Sequence, residues 1–209
     1  MAKSGRPSSG GAERRSSATR ERLIDAAFET LRDEGFARAS ARAIGSSGSF
    51  NPALIFYYFD SVNDLLVEAL ARSSRVQLEK YERALDGVGT LTDLVGAVQD
   101  RLRDDVASGH VKVLAELVGS SATDAELRAA VLNHVRPWLA FTQRTLDRVV
   151  AASGLAGLVP GEHVAFAVVS LFLGMELVSG LLDDRHRIDE LLDSAAEIAA
   201  VVGSVPPGG

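Results

Sequence analysis

The chain has 209 residues, with 22 Lys plus Arg against 28 Asp plus Glu, a net charge of −6 and 46% hydrophobic residues, a globular composition with enough apolar surface for a core. It contains no cysteine, which excludes disulfides, thiolate nucleophiles and Cys-based zinc or iron–sulfur sites and fits a reducing compartment. Residues 1–60 carry nine Lys/Arg against seven Asp/Glu, leaving −8 on the remainder, so a basic N-terminal end and an acidic body are expected to meet different partners.

In chain order, residues 1–18 (MAKSGRPSSGGAERRSSA) are rich in Gly and Ser, basic and aperiodic, and are expected to form a disordered arm. Leu23, Ile24, Ala27, Phe28 and Leu31 then repeat at helical spacing up to Gly35, a helix stop. Ser40 begins a short second segment. Asn51-Pro52 opens a third, with a favoured cap followed by a favoured first helical residue. Capping-box variants Ser61/Asp64, Thr90/Asp93 and Thr123/Glu126 mark later starts. The fourth helix carries the stripe Val62, Leu65, Leu66, Ala69, Leu70, Val76 and Tyr81, and the next runs along Leu91, Leu94, Val95, Val98, Leu102 and Val106. A shorter helix covers about 110–119. The longest reaches about Ala152, and Pro137 inside it predicts a kink.

Val164 to Leu182 is 19 residues with a single charge, Glu176, which reaches the length of a membrane span. That charge, Gly174, Gly180 and the lack of basic flanks favour a helix buried between the core and a partner subunit. A last helix covers about 187–202. With no alternating strand pattern, the reading is all-α with about nine helices and no membrane association. Its domains are 19–60, a helical domain over 61–203, and a flexible tail at 204–209.

A short helix, a tight turn at Gly48-Ser49-Phe50 and a capped helix make the helix-turn-helix pattern, in which the second helix offers its N-terminal residues to the major groove. The stretches TRERLIDAAFETLRDEGF (19–36), SARAIG (40–45), GSFNPALIFYYF (48–59) and DSVNDLL (60–66) resemble the N-terminal domain of TetR-type (tetracycline-repressor-like) transcriptional regulators. The chain departs from that pattern at Ser49 (turn Gly), Phe50 (Val), Asn51 (Ser), Ala53 (Gly), Phe56 (Tyr) and Val62 (Lys).

The resemblance implies a three-helix DNA-binding domain joined to a C-terminal ligand-binding and dimerisation domain. It implies a homodimeric repressor that binds palindromic operator DNA and is released by a small-molecule effector. The implied DNA-facing set is Thr19, Arg20, Ser40, Arg42, Asn51, Pro52, Ala53, Phe56 and Tyr57. Arg42 suits a phosphate or guanine edge and Tyr57 a phosphate, while Tyr58 and Phe59 read as core. Residues 51–60 hold no Lys or Arg, so Lys3, Arg6, Arg14 and Arg15 are candidates for an arm that contacts phosphates.

Polar or aromatic residues on apolar stripes give the effector candidates Glu116, His134, Trp138, Phe141, Thr142, Phe172, Met175 and Glu176. Glu176 either meets a ligand or pairs across the dimer. The last two helices supply the expected dimer surface, namely Phe166, Val169, Leu173, Leu177, Leu191, Ala195 and Ile198.

HExxH, GxGxxG, GxxxxGK and GxSxG patterns are absent, so neither an enzyme, a cofactor nor a metal site is expected. His186 beside Asp183 and Asp184 reads as a charged loop. The expectation is a cytoplasmic regulator. The alternative is a helical ligand-binding or scaffold protein that has lost DNA binding, suggested by Ser49, Phe56 and Val62.

Overall fold

Nine α-helices and two short 3-10 turns account for the regular structure among the described residues of a computed structural model, which are 9–153, 160–182 and 186–204. In chain order the helices are α1 (Ser9–Glu34), α2 (Ala41–Ser47), α3 (Ile55–Tyr58), α4 (Val62–Ala84) and α5 (Leu91–Ser108), then α6 (His110–Ser120), α7 (Ala125–Ser153), α8 (Gly161–Leu182) and α9 (His186–Ser204). The chain divides into two units, residues 1–70 and 71–209, with α4 crossing from one to the other. This boundary falls ten residues beyond the expected end of the first domain at 60.

Within the first unit α1 packs on α2, and Leu23, Ile24, Leu31, Ile44, Ile55 and Leu65 are sealed from solvent. Each such side chain contributes about 1.5–3 kcal/mol over an exposed one. Helix α1 begins at Ser9 instead of near residue 19, so residues 9–18 are a helical extension and not the expected disordered arm. Ala12, Glu13, Arg14 and Arg15 are good helix formers that propagate the turn backward from the packed part of α1. Residues 1–8, with Lys3 and Arg6, lie outside the described residues.

In the second unit α7 packs on α8, α5 on α9 and α6 on α8. One apolar cluster joins Tyr81, Leu85, Leu94, Phe141 and Val149, with Trp138 against it, and a second joins Leu102, Ile188 and Leu192, with Phe172 and Met175 against it. The Ser61/Asp64 and Thr90/Asp93 boxes both form, each hydroxyl receiving the Asp backbone N–H at 3.1 Å. The third box does not. The α7 cap is Asp124, whose Oδ1 accepts from the Glu126 and Leu127 amides at 3.0 and 2.9 Å. A carboxylate there also faces the positive end of the α7 dipole, which Thr123 would not complement. Val76, assigned to the buried stripe of α4, is exposed. Helix α7 continues through Pro137, and no described helix is long and apolar enough to cross a membrane.

Candidate nucleic-acid interface and interior cavity

The helix-turn-helix is assembled from the turn outward. Ser40 Oγ accepts from the Ala43 amide at 3.3 Å and caps α2. Asn51 Oδ1 accepts from the Ala53 amide at 2.9 Å and starts a 3-10 turn at Pro52 that passes into α3. Between them Ser49 takes the left-handed conformation, with φ of 54°, at the position where the resemblance places glycine. The Phe50 amide donates to Gly45 O at 3.0 Å, and a Cβ on Gly45 would lie 2.9 Å from Pro52 Cγ and 3.0 Å from Phe50 O. Gly45 thus sets how closely α2 approaches the next segment. Arg22 donates to the Gly48 carbonyl at 3.4 Å, tying α1 to the turn.

This frame buries one side of α3 and exposes the other. Ile55 is sealed and Phe59 is buried, whereas Phe56 is 59% and Tyr57 78% exposed. Two large rings left in solvent on a four-residue helix form a surface that packing within the unit does not use. Asn51, Ala53 and Arg42 are exposed beside them and Pro52 is half-buried. Tyr58 is half-buried, its hydroxyl accepting from Ser16 at 3.4 Å.

Two of the expected DNA-facing residues also have partners within the first unit. Arg20 forms an ion pair with Glu68 at 3.6 Å and lies 5.0 Å over the Phe59 ring, so its guanidinium joins α1 to the start of α4. The half-buried Thr19 gives its hydroxyl proton to Arg15 O at 2.9 Å, within α1.

The second unit holds a cavity of about 330 Å³, partly open to solvent, between α4, α5, α6, α7, α8 and α9. Its walls are almost wholly apolar. Of the effector candidates, Trp138, Phe141, Thr142 and Phe172 line it. Glu116 and His134 do not, and Met175 packs instead on the Leu102 cluster. The Glu176 side chain lies outside what is described. Val169, Leu173 and Ala195, expected at a dimer surface, are half-buried and line the cavity, because α8 is apolar around its circumference and turns this side inward.

The polar corner of the cavity went unread in the sequence. Asp105, 4% exposed, and His110, 2% exposed, lie there with Tyr81. Burial pushes the Asp105 carboxyl up to about 6, while a hydrogen bond from Tyr81 and the charges of Lys80 and Arg101 act the other way. Burial and Asp105 together raise Tyr81. His110 is pushed down to about 4 by burial and by Lys80. It is therefore neutral near pH 7, with Nδ1 paired to Ser73 Oγ at 2.9 Å. The Trp138 ring stands 5.3 Å from Tyr81, 6.5 Å from Phe141 and 5.9 Å from His110, and its buried Nε1 has no hydrogen-bond partner among the described residues. The available signal was spacing, since Asp105 follows Val98 and Leu102 at helical intervals along the α5 stripe.

No group of three His, Asp or Glu placed to hold a metal occurs among the described residues. His186 Nε2 lies 3.5 Å from Glu190, and Asp183 and Asp184 fall outside the description.

Residues 23–69 match the family of bacterial regulatory proteins, tetR family. An uncharacterised HTH-type transcriptional regulator of Mycobacterium tuberculosis is 26% identical over 175 residues, covering 81% of this chain and 87% of the relative. Among solved structures, a transcriptional regulator of Saccharomonospora viridis in complex with choline superimposes with a TM-score of 0.71 at 16% identity, over 87% of this chain and 95% of that one. FadR of Bacillus subtilis in complex with stearoyl-CoA gives 0.67 at 16%, over 88% and 97%.

Proposed function

Since the chain is a DNA-binding transcriptional regulator of the tetR family, we propose that it acts as a homodimeric repressor that grips a palindromic operator and lets go when a small molecule occupies the second unit. The observation that carries the reading is the exposure of Phe56 and Tyr57 on a helix whose Ile55 and Phe59 are buried. In this reading Asn51, Pro52, Ala53, Phe56 and Tyr57 meet the major groove, Phe56 through apolar contact such as a thymine methyl and Tyr57 through a phosphate. Ser40 and Arg42 hold the flanking backbone. With no Lys or Arg in residues 51–60, Arg14, Arg15 and the residues before them add counterion-release affinity.

The cavity supports an effector site, being mainly apolar with a few convergent polar groups. The fold neighbours named above were crystallised with choline and with stearoyl-CoA, so the architecture accommodates ligands of very different chemistry. Coupling runs through helices that line the cavity. Helix α4 contributes Tyr81 and begins three residues after Phe59, and α7 contributes Trp138 one residue past Pro137. An effector releases DNA only by preferring the arrangement that does not fit the operator.

The test is an electrophoretic shift with DNA from upstream of the protein's own gene. The native chain shifts it, and Tyr57→Ala weakens the complex about tenfold, the loss of roughly one charge-assisted hydrogen bond to phosphate. Native protein that shifts no such DNA favours the alternative, a ligand-binding protein without DNA function.

A further inference from the structure

Taking the cavity to be the effector site proposed above, we infer that its ligand is an apolar molecule with one positively charged amine, seated between the Asp105 carboxylate and the Tyr81 and Trp138 rings.

Asp105 is the acidic residue among the described residues of the cavity wall, and neither lysine nor arginine lines that wall. A carboxylate held in apolar surroundings is costly unless a counter-charge or donors reach it. Tyr81 supplies one hydrogen bond. The charged groups acting on Asp105 from the packed elements are Lys80 on α4 and Arg101 and Asp104 on α5. Arg101 is itself paired to Asp104, and His110 on α6 is neutral. The corner is therefore short of positive charge on the side that faces the cavity. An ammonium there meets the carboxylate and stands over electron-rich ring faces, since Tyr81, Trp138 and Phe141 cluster within 6.5 Å of one another. A carboxylate or phosphate head would instead face Asp105 with no cation on the wall to receive it. The remaining walls, including Val95, Val98, Val168 and Leu171, suit an apolar body.

The single tryptophan of the chain lies on this wall, so its fluorescence reports occupancy. The full chain is titrated with decyltrimethylammonium, 1-decanol and decanoate, each below its micelle concentration. The expected order places the cation at least about tenfold tighter than either other probe, and Asp105→Asn removes that preference. A pH series on the native chain needs no variant. Affinity for the cation climbs about tenfold from about pH 5 to about pH 7 as Asp105 ionises, while affinity for 1-decanol stays flat. Equal or tighter binding of 1-decanol assigns the corner to a neutral hydroxyl that uses Asp105 and Trp138 Nε1, and overturns the inference. Equal or tighter decanoate binding, or a preference that survives in Asp105→Asn, overturns it too. If none of the three quenches Trp138, the effector reading of the cavity fails first and this inference falls with it.

Discussion

Gly45 on α2 and Ser49 in the turn that follows carry opposite constraints. Gly45 has ordinary backbone angles but no room, because an added methyl would press on the Pro52 ring and the Phe50 carbonyl. Ser49 has room but the wrong backbone, sitting at φ 54° where an L side chain is strained. Gly45→Ala should therefore cost about 1–3 kcal/mol, as overpacking against backbone does, and should weaken DNA binding by displacing the segment that carries Tyr57. Ser49→Gly should stabilise by up to about 1 kcal/mol, the relief of left-handed strain less the added entropy of the unfolded chain. Thermal denaturation of the two variants checks both signs at once. Equal shifts in the same direction would show that the turn is not held by these two constraints.

At the scale of elements, starts and stops were legible where the chemistry is local. Ser40, Asn51, Ser61 and Thr90 each cap the segment they announce, because a hydroxyl or amide two or three residues from an orphan amide needs nothing from the rest of the fold. The reading slipped where tertiary context decides. The start of α1 moved back to Ser9, and the cap of α7 passed to Asp124. The cavity was only half legible. Trp138, Phe141, Thr142 and Phe172 stand on visible stripes. Asp105 is a charged residue at the end of the α5 stripe, a type that usually marks a solvated face, and His110 reaches the same wall only after the chain turns between α5 and α6 at Gly109, with φ of 77°.

That α5–α6 corner carries its own pH signature. Folded Asp105 holds its proton from 3.8 up to about 6, so its share of stability declines as pH rises through that interval. His110 loses its proton at about 4 when folded against 6.5 when unfolded, so its share grows from about 4 to 6.5. In the native chain the two slopes oppose each other. Asp105→Asn removes the falling one, and its stability relative to the native chain should grow by up to about 3 kcal/mol between pH 4 and 6. His110→Gln should show the mirror image, an advantage at pH 4 that disappears by 6.5. Denaturant titrations across this range test the pair, and parallel curves for both variants would contradict the buried placement of these groups.

For the whole molecule, the decisive question is what covers α8 and α9. Helix α8 gives Val169, Phe172 and Leu173 to the cavity and leaves Phe166, Leu177 and Leu181 in solvent, and α9 adds exposed Leu191, Ile198 and Val201. Apolar surface of this extent on a monomer is normally an interface, and a second copy offering the same two helices would bury it with the twofold symmetry that a palindromic site requires. Leu177→Glu with Ile198→Glu should barely alter the fold of one protomer, since both positions are already exposed and such substitutions usually lie within about 0.5 kcal/mol. It should still separate the protomers of the proposed homodimer. Losing the second half-site should lower operator affinity by at least about a hundredfold, the benefit of linked binding, while Trp138 quenching by a cavity ligand persists. Sedimentation, DNA shift and fluorescence on the same preparation separate these outcomes. A variant that stays dimeric and keeps native operator affinity would place the interface elsewhere and leave the exposed face of α8 and α9 for a different partner.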